Sequence, residues 1–210
     1  NTAKASITED LPASLFPLSA IIGDSVKSIP AYVFGKCSEL SKVTIGNSVA
    51  SIGIGAFGGC VNLSRVDISD INAWCEIDFQ LATSNPLYNG GKLYLNSELV
   101  TEAVIEKATE IKGFAFNQYT ELTSVIIGNS VTSIGKYAFQ NCTGLTNAPA
   151  LPATELAKQC YYYMFDGCSW LTTLPELPAT TLSNHCYLRM FSYCTSLTTV
   201  PTLPATTLAT

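Results

Sequence analysis

The stretch Ile127–Leu145, IGNSVTSIGKYAFQNCTGL, returns lightly edited as IGNSVASIGIGAFGGCVNL at Ile45–Leu63 and as IGDSVKSIPAYVFGKCSEL at Ile22–Leu40. A recurring unit constrains a chain more tightly than any local propensity, because one such unit cannot bury its apolar face alone. Stacked units can, and the product is a solenoid with one continuous interior. The first spacing is 23 residues: Phe34 to Phe57, Leu40 to Leu63, Val43 to Val66 and Ile45 to Ile68 all keep it.

Each unit begins L-x-x-V-x-I, whose β-branched residues at alternate places predict a short strand with Val43 and Ile45 facing inward. Gly46 and Asn47 supply the turn out of it. Ser48–Ile52 is too short for a helix and reads as extended. Ala56–Phe57, Ala138–Phe139 and their counterparts read as about one helical or 3₁₀ turn that inserts a phenylalanine into the core. Strand on strand then makes a parallel sheet along one side, with phenylalanine and cysteine columns behind it.

The 23-residue repeats run over 22–68 and then break. Phe116 follows Phe57 by 59 residues, one period plus an insertion of 36. In that insertion, roughly 69–104, Asn89-Gly90-Gly91 signals a turn. Leu93–Leu95 and Glu98–Val100 flank Asn96-Ser97 as the arms of a tight hairpin. The expectation is a protruding hairpin that leaves the solenoid and returns at Val104–Ile105. The shorter period resumes over 105–144. From Leu145 it becomes 26, as Phe139, Phe165 and Phe191 show, with LPAT at Leu151, Leu177 and Leu203. Pro149, Pro175 and Pro201 fall in the expected strands of this part, and a proline gives no ladder donor, so these strands should be short or frayed. Residues 1–21 read as a degenerate first turn over the end of the core. The stop at Leu203–Thr210, partway through a repeat, suggests a piece of a longer protein. The whole, 1–210, is one solenoid.

Five of the eight cysteines follow a repeat phenylalanine by three residues: Cys37, Cys60, Cys142, Cys168 and Cys194. Cys160 and Cys186 form a second pair in register, and Cys75 stands alone. Coils stacked about 4.8 Å apart are within the Cα separation that a disulfide spans. The favoured reading is nonetheless a free thiol filling a recurring buried slot, because Tyr119 holds the ladder position in one unit and a required partner could not be replaced so. A hydrophobic content of 47% with 13% charged residues excludes disorder, and no apolar run has the length of a membrane span. A net charge of −5, with lysine and arginine scattered singly, gives no nucleic-acid footprint.

The text L-T-S-V-x-I-G-N-S-V-T-S-I-G-x-Y-A-F-x-x-C resembles the BspA-type leucine-rich repeats of bacterial surface proteins, over nearly the whole chain from Ile22. Variants of the same kind are A-W-C-x-I-D-F and N-P-L-Y-x-G-G-x-L-Y-L in the insertion, and the LPATTL units. The resemblance implies a right-handed leucine-rich-repeat solenoid, α/β in class, on an exported, cell-surface protein. It also implies adhesion to host or extracellular-matrix proteins or glycoproteins, or to neighbouring cells, with no cofactor.

Residues that could carry chemistry are few. His185 is the single histidine; its counterpart one period back is Gln159, which speaks for a structural position rather than a catalytic base. Cys160, His185 and Cys186 lack a fourth zinc ligand and any familiar spacing. Asp67, Asp70, Glu76 and Asp78 cluster around the start of the insertion, but no second acidic column faces them as glycosidic cleavage needs. The Gly23-Asp24, Asn47 and Asn129 turns lack the dense pattern of calcium-binding repeats. What the repeat leaves unfixed are the outward strand positions Lys42, Thr44, Arg65, Asp67, Ser124 and Ile126, with Asn147, Thr173 and Thr199 continuing the first column. They vary in charge and shape, as a binding face on a fixed scaffold would, and equally as unconstrained surface would. Tyr88, Tyr94 and Trp74 are a second candidate, or a small satellite core under the hairpin. The leading expectation is therefore a non-enzymatic adhesion or binding module. The alternatives are a structural spacer within a larger surface protein and a carbohydrate-active enzyme.

Overall fold

The computed structural model describes residues 19–151, 153, 156, 159–204 and 207–208; most of the expected N-terminal turn and parts of the LPAT segments fall outside these. Successive coils contribute one strand to a first face: β1 (Ser19–Ile22), β3 (Lys42–Ile45), β5 (Arg65–Ile68) and β7 (Lys92–Leu95), all parallel and adjacent in that order. A second face stacks β2 (Ser28–Ile29), β4 (Ser51–Ile52) and β6 (Asp78–Phe79). After the insertion the two faces resume with β9 (Glu102–Ile105) on β11 (Ser124–Ile127), and β10 (Glu110–Ile111) on β12 (Ser133–Ile134). In the 26-residue part Asn147 and Thr173 form an isolated parallel bridge, and β13 (Thr181–Leu182) pairs with β14 (Thr207–Leu208). The expected strands beside Pro149 and Pro175 shrink to that bridge, as the loss of a ladder donor requires.

The repeat columns are the interior. Leu40, Leu63, Leu122, Leu145 and Leu171 are buried, as are Val43, Val66, Leu93, Ala103 and Val125 in the strands beside them. Phe34 stacks on Phe57 (ring centroids 5.2 Å apart), while Phe116, Phe139, Phe165 and Phe191 form an unbroken file at 5.3, 5.9 and 5.9 Å. In β9 it is Ala103 that points inward and Val104 that lies outside, 41% exposed.

The phenylalanine-bearing segment contains 3₁₀-type closures, Gly35 N to Tyr32 O and Cys37 N to Phe34 O, without becoming a continuous helix. Positive φ recurs two residues before and two after the phenylalanine: Tyr32 and Lys36, Gly55 and Gly59, Phe114 and Gln118, Tyr137 and Asn141. Reversing φ in this way turns alternate amides along the stack. Tyr32, Phe34 and Lys36 donate to Ile54, Ala56 and Gly58 of the next coil, and Phe114, Phe116 and Gln118 to Lys136, Ala138 and Gln140. Left-handed backbone costs a non-glycine residue about 1–2 kcal/mol, and a satisfied inter-coil hydrogen bond offsets it.

The cysteines are thiols, none joined in a disulfide, and they do more than fill space. Cys60, Cys142, Cys168 and Cys194 each donate S–H to the carbonyl of the previous coil's phenylalanine, at 3.0, 3.0, 3.2 and 3.1 Å. Each of these carbonyls also accepts a backbone amide of its own coil, so the thiol adds a second, inter-coil bond to an oxygen already paired.

The insertion contains the expected hairpin, and it is small: β8 (Glu98–Leu99) folds back on β7 around Asn96 and Ser97, both at positive φ. The rest of the stretch stays in the stack instead of leaving it. β6 pairs with β4 and β7 with β5, so the inserted residues form one enlarged coil. The reason is legible in hindsight: K-L-Y-L at Lys92–Leu95 alternates as a repeat strand does, and Leu93 is fully buried. A helix α1 (Ile71–Cys75), N-capped by Asp70, seals the junction with the coil that follows. Asn72 Oδ1 accepts from the amides of Lys107 and Ala108, Glu76 Oε1 from Thr109, and the Cys75 carbonyl from Lys112. Trp74 is buried in the common core rather than in a satellite one, and its Nε1 donates to Ala115 O. The enlarged coil also replaces both ends of the thiol ladder: Asn89 Nδ2 donates to Phe57 O, and the Tyr119 hydroxyl reaches back to Val100 O at 2.7 Å and to the Leu93 backbone.

Candidate binding face

The first-face strands alternate, so every second side chain points away from the core. Their register aligns Ser19, Lys42, Arg65 and Lys92 in one outward column, and Ile21, Thr44, Asp67 and Tyr94 in the next. Lys42, Thr44, Arg65 and Asp67, picked out by sequence, are therefore neighbours. Ser124 and Ile126 are displaced from them: they lie on β11, opposite Glu102 and Val104, beyond the hairpin that ends the first sheet. Asn147 and Thr173 continue on the far side as an exposed bridge, and Thr199 is exposed. Sequence reasoning missed Lys92 and Tyr94 as members of this face because the insertion was expected to lie off the scaffold.

The centre of the face is a fixed ionic cluster. Asp67 Oδ1 accepts from Arg65 Nη2 at 2.8 Å and from Nε at 3.0 Å, and its Oδ2 lies 2.9 Å from Lys42 Nζ. The Arg65 guanidinium sits 4.0 Å above the Tyr94 ring, which holds it by cation–π attraction as well as charge. Asp67 is more covered than either cation, its side chain 14% exposed against 33% for Arg65 and 44% for Lys42. Desolvation pushes its carboxyl up, but the hydrogen bonds from Arg65 and then Lys42, with their charges, overcome that and hold it below the usual carboxylate value. Lys92 pairs outward with Glu121 at 2.9 Å. The result is a rigid, mixed-charge patch with two cations, a shielded anion and an aromatic ring.

Among the other chemistry-bearing candidates, Asp24, Asn47, Asp70 and Glu76 are committed to the scaffold. Asp70 caps α1 and Glu76 caps Thr109, so these carboxylates hold backbone amides rather than facing one another. Asp24 accepts from Asn47 N, and Asn47 Oδ1 from the Ser69 hydroxyl, which is turn chemistry between coils. His185 is exposed, at φ 60°, while Cys160 is buried. Among the described residues no three His, Cys, Asp or Glu side chains converge as metal ligands would. Nor, among them, is any helix long and apolar enough to cross a membrane.

The model of the BspA type leucine rich repeat region matches residues 17–83 and 92–208, in six copies. Three solved structures are similar. A leucine-rich-repeat protein of Treponema pallidum is 21% identical over 76% of this chain and 71% of its own, with a TM-score of 0.41. A leucine-rich cell surface protein of Faecalibacterium prausnitzii is 18% identical over 90% and 78%, with a TM-score of 0.36. A leucine-rich-repeat protein of Eubacterium ventriosum is 18% identical over 87% and 72%, with a TM-score of 0.35. No curated protein is significantly similar to the chain. With the family's repeat matched along most of its length and one strand after another stacked in register, the chain belongs to the BspA-type leucine-rich-repeat family.

Proposed function

We propose that this chain is a non-enzymatic binding module of a bacterial cell-surface protein, and that the first-face strands carry its partner site. The partner class is a host or extracellular-matrix protein or glycoprotein. The observation that carries the reading is the Lys42–Arg65–Asp67–Tyr94 cluster: a preorganised set of charges and an aromatic ring on outward positions that the repeat does not fix. Arginine stacked on tyrosine is the kind of anchor that dominates protein interfaces, and its two partners hold it oriented before any partner arrives. Ser124, Ile126 and Asn147 extend the surface along the stack as its periphery.

The test is surface binding of the purified chain to a panel of immobilised matrix glycoproteins. The variant Lys42→Ala/Arg65→Ala/Asp67→Ala should keep the circular-dichroism spectrum and lose at least tenfold in affinity. Absence of binding across the panel, or binding indifferent to the triple substitution, would sink the proposal.

A further inference from the structure

The second face is interrupted between β6 and β10, and a groove of about 500 Å³ opens at the interruption. That is within the range of ligand clefts, roughly 300–1,000 Å³. Asp78 and Gln80 lie on one wall, Glu110 and Lys112 on the other, and Lys136 and Gln159 at the far end. The floor includes Gly113 and Gly135. A Cβ on Gly135 would fall 2.4 Å from the Gly113 amide nitrogen, so the coils meet there too closely for any side chain.

The chemistry of the walls selects against an ionic ligand. Two carboxylates are matched by two ammonium groups, and Glu110 and Lys112 already pair at 2.5 Å. Gln80 and Gln159 add amides, which both donate and accept, with Gln80 Oε1 already accepting from the Ile54 amide at 3.3 Å. An extended peptide is also disfavoured, because the amides of Thr109 and Lys112 beside β10 are taken by Glu76 and the Cys75 carbonyl. Phe114, part of the lining, stacks on Tyr137 at 5.2 Å, and half-buried Tyr137, Tyr162 and Tyr163 carry this aromatic group onward along the coils, their ring centroids 4.5–5.5 Å apart. Arg189 Nη1 donates to the Tyr163 hydroxyl at 2.7 Å and fixes that end of the group. Tyrosine offers an apolar ring and a polar tip, the complement of a pyranose with its C–H face and hydroxyl edge. A polyhydroxylated, uncharged chain satisfies balanced charges, amides and tyrosines together.

We infer that this groove is a second binding site and that its ligand is a neutral oligosaccharide segment. It shares no residue with the strand face, so it stands independently of the protein-binding proposal.

The experiment titrates the ¹⁵N-labelled chain with cellotetraose, mannotetraose and lacto-N-neotetraose, and with an extended Val-Thr peptide. At least one sugar should give saturable shifts centred on the amides of 110–114 and 133–136. The double variant Gln80→Ala/Gln159→Ala, folded by circular dichroism, should weaken that sugar at least tenfold. Lys42→Ala/Arg65→Ala should leave it unchanged. No saturable shifts from any sugar, shifts confined to the strand face, full affinity in the glutamine variant, or a response to the peptide alone would each overturn the assignment.

Discussion

Tyr119 occupies the column that cysteines fill in the other regular coils, so restoring the repeat there looks like an improvement. The structure predicts the opposite for Tyr119→Cys. The side chain is 1% exposed and its hydroxyl bridges the splice, donating to Val100 O at 2.7 Å and meeting the Leu93 backbone at 3.3 Å. Large-to-small changes of a buried side chain cost roughly 2–5 kcal/mol. A buried carbonyl left without its donor adds roughly 1–3 kcal/mol, of which a new thiol hydrogen bond returns at most about 1 kcal/mol. The net expectation is a loss of about 4 kcal/mol. Tyr119→Phe keeps the packing and removes only the bridge, so it should cost about 1–3 kcal/mol. Urea unfolding followed by circular dichroism and by tryptophan fluorescence measures both, since Trp74 is bonded to Ala115 on the same splice. Midpoint and slope should be compared together, because repeat arrays do not always unfold as one unit. A Tyr119→Cys protein as stable as the parent would refute the claim that this column changes chemistry to span the enlarged coil.

Phe139, fully buried between Phe116 and Phe165, should cost about 3–5 kcal/mol as Phe139→Ala. Lys42→Ala should stay within about 1 kcal/mol of neutral, and equal losses in denaturant would contradict the assignment of inside and outside. Asp67, held below its ordinary value, contributes stability above the unfolded pKa of about 3.9, which is lost as pH falls through the folded value. The Lys42→Met/Arg65→Met protein should show a raised Asp67 carboxyl by NMR titration and a flatter acid limb; an unmoved carboxyl would remove the cluster's electrostatic basis. The Cys60 and Cys194 thiols are pushed up to about 11, chiefly by burial, so the folded state holds their protons longer than the unfolded chain. Stability should therefore fall as pH rises from about 9 to about 11. Cys60→Ala should shrink that fall, and rapid modification of Cys60 or Cys194 in the folded chain at neutral pH, as distinct from half-buried Cys186, would contradict the burial.

The regular coils were readable from sequence because each inward residue must fit the coil below and the coil above, so its identity repeats. Phe57, Leu63 and Val66 could be placed inside from spacing alone. The turn geometry was not readable in the same way. Positive φ falls on Tyr32, Gln118 and Asn141 as readily as on Gly55 and Gly59, and what favours it is an inter-coil hydrogen bond that no local pattern records. The enlarged coil was misjudged for a related reason. Its 36 extra residues break the period, yet β6 and β7 still find partners because parallel pairing tests alternation rather than unit length. The thiols were legible as buried and not as donors, since nothing in the sequence says which carbonyl lies beneath Cys142.

The break in periodicity also explains where the candidate sites sit. Along a regular stretch the neighbouring coils close tightly, as at Gly53, where a Cβ would meet the Ala31 amide nitrogen at 2.4 Å, and only side chains such as Lys42 and Arg65 stand out from the strand face. Its backbone surface has little relief. The enlarged coil changes both faces at once: on the first it delivers Tyr94 and Lys92 beside Arg65, and on the second it parts β6 from β10 to open the groove. A solenoid cannot readily vary its core columns without loosening two interfaces, whereas an insertion sealed by α1 and Tyr119 leaves the columns on either side packed. Relief, and with it the capacity to recognise something other than the next coil, is then concentrated at the splice. A deletion that rejoined two 23-residue units across it should accordingly close the groove and strip Tyr94 and Lys92 from the strand face, leaving Lys42, Arg65 and Asp67 on a stack that still folds.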